Sequence, residues 1–302
     1  MGTLEKYQNQ QYPDLLTAIE LLKPITWFPP MWAFICGAIS TGLVSINTLW
    51  IMFFGLLLAG PIVCGMSQAV NDWCDRHVDA INEPGRPIPS GRMPEKWGLA
   101  IAIILTLLGL LVGWTFGIWG FLPTVLAVFC AWIYSIEPFR LKRSGVWGPF
   151  LVGICYEGLP WFTGAAILSS GLPSIDTITL ALLFALGAFG IMTLNDFKAL
   201  EGDRKTGINS LPVKIGAKAA AKTACVAMIV PQIIVISLFF LAHNPIYATL
   251  LLTSLFLQLL AMKRLLKNPE RYAPWYNATG VSLYVAGMLV CAIALGSGVS
   301  LL

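Results

Sequence analysis

Nine apolar runs of roughly twenty residues dominate this sequence, at 24–43, 48–70, 96–114, 117–136, 146–168, 174–195, 217–241, 245–265 and 277–298. A helix rises about 1.5 Å per residue, so each run can cross a hydrocarbon layer of ~30 Å. The residues are 57% hydrophobic and only 11% charged, against about 25% charged in a soluble domain. The expected fold is therefore all-α: a polytopic membrane protein of nine transmembrane helices, forming one domain over residues 1–302.

The placement of charge supports that count. All 19 Lys and Arg fall in the N-terminal segment or in and beside the connections after the second, fourth, sixth and eighth runs. The other connections and the C-terminal tail have none. By the positive-inside rule the N-terminus is expected in the cytoplasm and the C-terminus outside. The net charge of +4 is spread over separate loops of an integral protein, which argues against nucleic acid as a partner. The opening "MGTLEKYQNQQYPDLLTAIELLK" lacks the short apolar core and cleavage site of a signal peptide, so the first run is expected to be an uncleaved span. The seven cysteines form no CxxC pair and mostly lie within apolar runs, where thiols pack as small hydrophobes; no disulfide is expected.

Against this apolar background, one carboxylate pattern occurs twice. After the second run the chain reads "NDWCDRHVD" over 71–79, and after the sixth "NDFKALEGD" over 195–203. Both are N-D-x-x-z-x-x-x-D, with z being Asp75 in the first copy and Ala199 in the second. If the helix persists, Asp75 and Asp79 lie about 60° and 20° from Asp72, so all three share a face. Asp196 and Asp203, seven apart, share a face by the same reasoning. Like charges at this spacing repel, and the helix C-terminus is the negative end of the dipole, so nothing local is expected to compensate them. Two such clusters facing each other would suit Mg²⁺, which takes a few carboxylates together with water and substrate phosphates. The blander reading is two solvated loop ends; a structural or transported-ion site is a third, although an ion path calls for acids in mid-membrane.

Arg76 lies about 40° from Asp72 on a helix, and Arg86, Arg92, Arg140, Lys142, Arg143, Arg204 and Lys205 follow in the same set of loops. Carboxylates holding Mg²⁺ beside Arg and Lys point to a diphosphate, whose departing charge the cations stabilise. Any one of these basic residues is also explained by topology, because cytoplasmic loops are basic in any case. Asn71, Arg76, Arg86, Lys142, Arg143 and Arg204 are the candidate diphosphate-binding residues. Asp72, Asp75, Asp79, Asp196 and Asp203 are the candidate metal and catalytic residues.

These motifs resemble a known family. "NDWCDRHVDAINEPGRPIPSGRM" is similar to the first signature of the UbiA-type intramembrane prenyltransferases, and "NDFKALEGDRKTGINSLPVKIG" to the second. The stretches "DAINEPGRPIPSG", "YSIEPFRLKRSG" and "LNDFKALEGDR" resemble the chlorophyll-forming branch of that family, and "NDWCDRHVD" is most similar to its bacteriochlorophyll-forming members. The resemblance implies a helical barrel opening laterally to lipid, with cytoplasmic cap loops. It implies transfer of a geranylgeranyl or phytyl group from its diphosphate to the propionate of bacteriochlorophyllide, with Mg²⁺. Asn71, Asp75 and Asp79 match the first metal motif and Asp203 the second. Many relatives have Asp where this chain has Ala199, so Asp196, or Glu201 if Gly202 unwinds the helix, is expected to substitute. A cytoplasmic-facing site in the inner or photosynthetic membrane is implied, and pigment-synthesis or photosystem-assembly proteins are conceivable partners.

Three further residues are candidates for the acceptor. Glu157 lies in mid-run, where a carboxylate is costly, and either contacts the macrocycle or bonds between helices. Trp73 and Trp161 can stack on a flat ring system, though Trp also anchors membrane interfaces. Chlorophyllide, a quinone precursor and haem are alternative acceptors, and an ion-coupled transporter is the rival outside enzymology.

Overall fold

The computed structural model describes residues 12–302, and all its regular elements are helical. The expectation that the first eleven residues carry no signal-peptide core lies outside the described residues. Helix α1 (Leu15–Leu22) and helix α2 (Phe28–Ser40) precede α3, which is continuous over Ile46–Asn82. There follow α4 (Glu95–Thr115), α5 (Ile118–Ser135), α6 (Trp147–Ser169) and α7 (Ile175–Lys198). Two short helices, α8 (Leu200–Thr206) and α9 (Leu211–Ile215), lead into α10 (Ala217–Leu241), α11 (Pro245–Leu265) and α12 (Pro269–Gly296).

Eight of these helices, α3 to α7 and α10 to α12, are long and apolar enough to cross a membrane. The first expected run, 24–43, is divided. It forms a 3₁₀ turn over Pro24–Thr26 and then the 13-residue α2, about 20 Å long and so short of a ~30 Å crossing by itself. The prolines account for the division. Pro24 follows Lys23, which adopts a left-handed conformation at the end of α1 (φ 46°), and Pro29 and Pro30 fit a helix only in its first turn, where no N–H is needed.

Proline also widens two long helices. Pro61 lies inside α3 where Leu58–Cys64 is π-helical, and Pro160 follows the π-helical Ile154–Gly158 of α6. A wider turn relieves the clash of the ring with the preceding carbonyl.

The chain gathers into two compact units. One comprises the described residues up to Met31 together with Phe53–Arg140, the other Trp32–Met52 with Leu141–Leu302. In the first, Met66, Ala69 and Val70 of α3 pack with Leu21 of α1, Ala102 of α4 and Val128 of α5, and the loop residues Ile88 and Met93 join them. In the second, Trp161 stacks on Phe184 at 5.6 Å and Tyr284 meets Phe184 edge-on at 5.3 Å. There α2 and α6 touch backbone to backbone: a Cβ on Gly37 would fall 1.9 Å from the Trp161 carbonyl oxygen, and one on Gly164 2.2 Å from that of Phe34. Such approach between membrane helices requires small residues. Among the described residues the seven cysteines form no disulfide, and five of them are buried.

Candidate active site

The first motif rides on the far end of α3. At 37 residues this helix is roughly 55 Å long, so its last turns project beyond a ~30 Å hydrocarbon layer. The helix persists to Asn82, as the shared-face argument required. Asp72 and Asp79 are buried and Asp75 half-buried.

The expectation that nothing local compensates these carboxylates is corrected, because three basic side chains do so. Lys23 donates to Asp72 Oδ1 at 2.6 Å. Arg86 Nη1 donates to Asp72 Oδ1 at 3.3 Å and to Asp79 Oδ2 at 2.8 Å, and Arg140 Nη2 donates to Asp75 Oδ1 at 2.7 Å. Burying like charges side by side is tolerable only with such counter-charges. Sequence reasoning missed Lys23 altogether and did not single out Arg140. The one signal for Lys23 was its position between a short amphipathic helix and Pro24.

The loop after α3 folds back to deliver Arg86. Its turns are closed by the Arg86 N–H on Glu83 O, Ser90 N–H on Arg86 O and Met93 N–H on Pro87 O, at 3.0, 3.0 and 2.9 Å. Ile88 and Met93 anchor it in the core. Arg92 clamps it to α1, with Nη2 on Glu20 Oε1 at 2.8 Å and on Gly85 O at 2.7 Å. Arg92 in turn holds the Glu20 carboxyl below the usual range.

Arg76, expected beside the acidic face, is engaged elsewhere. It forms an ion pair with Glu95, donates to Trp73 O at 2.7 Å and lies over the Trp73 ring at 4.5 Å. One face of Trp73 is thus covered. Asn71 Nδ2 donates to the buried Ser135 Oγ at 3.4 Å.

In the second motif the expected continuous helix is broken. The α-helix ends at Asn195, Asp196–Lys198 tightens to 3₁₀, and α8 restarts at Leu200 after Ala199 (φ −109°, ψ 6°). Glu201 and Asp203 then occupy the favourable first turn of α8. Gly207 (φ 71°) ends it, with the Ile208 N–H on Asp203 O at 3.0 Å, a Schellman-type close. Asp196 and Asp203 remain within electrostatic reach of each other. Among the described residues no basic side chain pairs with either. Asp203 is 8% exposed, and burial raises its carboxyl above the usual range. Glu201 points into solvent beside Lys205 at 3.5 Å, so of the two expected substitutes for Ala199 only Asp196 lies near Asp203.

The loop bearing Lys142 and Arg143 is tied to the second motif by backbone. Asn209 N–H donates to Arg143 O at 3.2 Å and Gly145 N–H to Asn209 O at 2.9 Å. Gly145 is required there: a Cβ would fall 2.3 Å from Leu211 N. Lys142 is half-buried, whereas Arg143 and Arg204 are exposed.

The three acceptor candidates separate. Trp161 is fully buried against Phe184, so it serves the core rather than an open stacking surface. Glu157 is 4% exposed, and its Oε2 has no partner. Trp73 is half-buried under Arg76.

The donor chemistry fits Mg²⁺. Among the described residues Asp72 Oδ2 is buried without a partner, and Asp196 and Asp203 pair with no cation. Among the described residues no three His, Cys, Asp or Glu converge on one point. Mg²⁺ needs no such cage, because it commonly keeps several waters and uses one or two carboxylates with substrate phosphates.

Residues 26–286 match the UbiA prenyltransferase family. The chain is 58% identical over 283 residues to the bacteriochlorophyll synthase 33 kDa chain of Cereibacter sphaeroides, covering 94% of each. It is 36% identical over 291 residues to the chloroplastic chlorophyll synthase of Oryza sativa, covering 91% of this chain and 76% of that one. A UbiA homolog from Archaeoglobus fulgidus solved with DMAPP and Mg²⁺ superposes with a TM-score of 0.66 at 18% identity, covering 94% of this chain and 98% of that one, which shows a shared fold.

Proposed function

Because the chain belongs to the UbiA prenyltransferase family, we propose that it esterifies bacteriochlorophyllide, using geranylgeranyl or phytyl diphosphate as donor. The observation carrying this is the 58% identity to a bacteriochlorophyll synthase over 94% of both chains, well above the 36% to a chlorophyll synthase. The bond that breaks is the allylic C–O bond of the prenyl diphosphate. The bond that forms joins the prenyl carbon to a propionate oxygen of the acceptor, and diphosphate departs with the electron pair. A carboxylate acceptor is already ionised near neutral pH and needs no general base.

Asp72, Asp75 and Asp79, and likewise Asp196 and Asp203, are the residues that would hold Mg²⁺. The ion would supply charge neutralisation at the diphosphate oxygens. Lys23, Arg86 and Arg140, now on the first aspartates, are free to turn to the diphosphate once those carboxylates take a metal. Asn71, Lys142, Arg143 and Arg204 are further residues that would bind a diphosphate. The apolar helix faces receive the prenyl tail and keep water from the allylic carbon. Residues 1–302 act as one catalytic domain with nine spans, the N-terminus and both motifs facing the cytoplasm of an inner or photosynthetic membrane.

The test is to incubate membranes containing the protein with each C20 diphosphate and, separately, bacteriochlorophyllide, chlorophyllide, a quinone precursor or haem, and to weigh the products. Prenyl-bacteriochlorophyllide formed in preference to the others is expected. With both propionate oxygens labelled by ¹⁸O, the ester should retain both labels. Loss of one would replace prenyl transfer by acyl transfer.

A further inference from the structure

The second motif begins with Asn195, and a residue far along the chain holds its side chain. Asn277, on α12, donates from Nδ2 to Asn195 Oδ1 at 2.7 Å. With its oxygen occupied, Asn195 directs Nδ2, among the described residues, only at the Met192 thioether, 3.6 Å away, a weak acceptor. Asn277 Oδ1 is itself buried without a partner. A buried amide oxygen without a protein partner is uncommon in a native structure. The other motif asparagine is tethered through the opposite end of its amide, Asn71 donating from Nδ2 to Ser135 Oγ at 3.4 Å. α12 also packs against the 3₁₀ turn that carries Asp196.

We propose that Asn277 is a positioning residue for prenyl transfer: by occupying the Asn195 oxygen it fixes that amide so that its N–H₂ group is left to donate to a diphosphate oxygen. The inference rests on the reading under Proposed function. The chemistry has a direction, because only a donor at position 277 keeps Asn195 in this orientation. A carboxylate there accepts hydrogen bonds but cannot donate when ionised. It would make Asn195 turn its N–H₂ inward and present oxygen to the diphosphate.

The experiment compares Asn277→Ala, Asn277→Asp and Asn277→Ser in detergent-solubilised full-length protein, measuring KM for the prenyl diphosphate, kcat and the thermal midpoint. Asn277→Ala should raise KM about tenfold, the change one net hydrogen bond supports, with a smaller change in kcat. Asn277→Asp, though isosteric, should be at least as impaired in KM, and Asn277→Ser, which keeps a donor, should recover most of it. A purely packing role predicts the reverse order, with the isosteric Asp tolerated best. In an Asn195→Ala background Asn277→Ala should add nothing further to KM. Additive effects, or a wild-type KM in Asn277→Asp, would overturn the proposal. If Asn277→Asp does not fold, the Ala and Ser variants with the Asn195→Ala cycle decide. A wild-type protein that makes no prenyl ester would instead refute the reading on which the inference rests.

Discussion

Arg86 bonds two buried aspartates of one motif and closes the loop that carries it. Removing it by Arg86→Ala strands Asp79 and leaves Asp72 to Lys23 alone, and stranding a buried charge costs on the order of 3 kcal/mol. A divalent cation able to take the vacated place restores it by mass action. The thermal midpoint of Arg86→Ala should therefore fall without metal and rise more with Mg²⁺ than that of the wild type. An equal Mg²⁺ effect in both proteins would remove these carboxylates from the metal site. Asp79→Asn should fold and lose about 100-fold or more in turnover, as when a key electrostatic group is lost; full activity would exclude Asp79. Asp203 gives a pH dependence of opposite sense to a paired acid. Its folded pKa lies above the ordinary 3.8, so its contribution to stability is complete below that value and is lost as pH rises through the raised one. Mg²⁺ needs the ionised form, so its stabilisation should grow as pH rises above the ordinary carboxylate value and through the raised one. In Asp203→Asn this growth should shrink, and an unchanged pH dependence would show that Asp203 does not bind the ion.

At the level of elements, the joint between the Leu141–Arg143 turn and the segment after α8 depends on one glycine. The Cβ of Gly145→Ala would fall 2.3 Å from Leu211 N and 2.6 Å from Asn209 O, and backbone on both sides must move. Displacements near 1 Å cost up to about 100-fold in rate. The variant should keep its helical circular dichroism and lose about tenfold or more in prenyl transfer. Full activity would show that the Lys142 loop need not be tied to the second motif. The first motif was legible because period and helix agree: α3 continues through Asp79, and the spacing of its acids survives as a shared face. The second was less so. The 3₁₀ turn at Asp196–Lys198 has no proline or glycine to announce it, and the choice between Asp196 and Glu201 depended on that turn. Counter-ions were the least legible part. Lys23 and Arg140 lie 49 and 65 residues from the aspartates they meet, a separation that no local pattern spans. Trp161 was misread because an aromatic ring in a membrane helix fits a core as well as a pigment, and its stacking on Phe184 assigns it to the core.

For the whole molecule the open quantity is parity, because eight spans return the chain to its starting side and nine do not. Everything turns on α2. Thirteen residues of α-helix are about 20 Å, and the 3₁₀ turn before them adds about 6 Å at ~2 Å per residue, leaving a few ångströms that tilt and local thinning can absorb. The charges favour a crossing: Lys23 lies before α2, whereas the connection from Thr41 to Ser45 has no Lys or Arg, as expected of an outer loop. If α2 did not cross, that neutral loop and the basic N-terminal segment would share one side. A cysteine-free background carrying Val44→Cys, at an exposed position, should therefore react with a membrane-impermeant maleimide applied from outside. Gly85→Cys, in the loop that delivers Arg86, should react only after the membrane is opened. Labelling of Gly85→Cys from outside would invert the topology and place the first motif away from a cytosolic diphosphate. Labelling of Leu16→Cys, exposed on α1, from outside together with Val44→Cys would put both ends of α2 on one side, reduce the count to eight and make α2 a helix that enters the bilayer and returns.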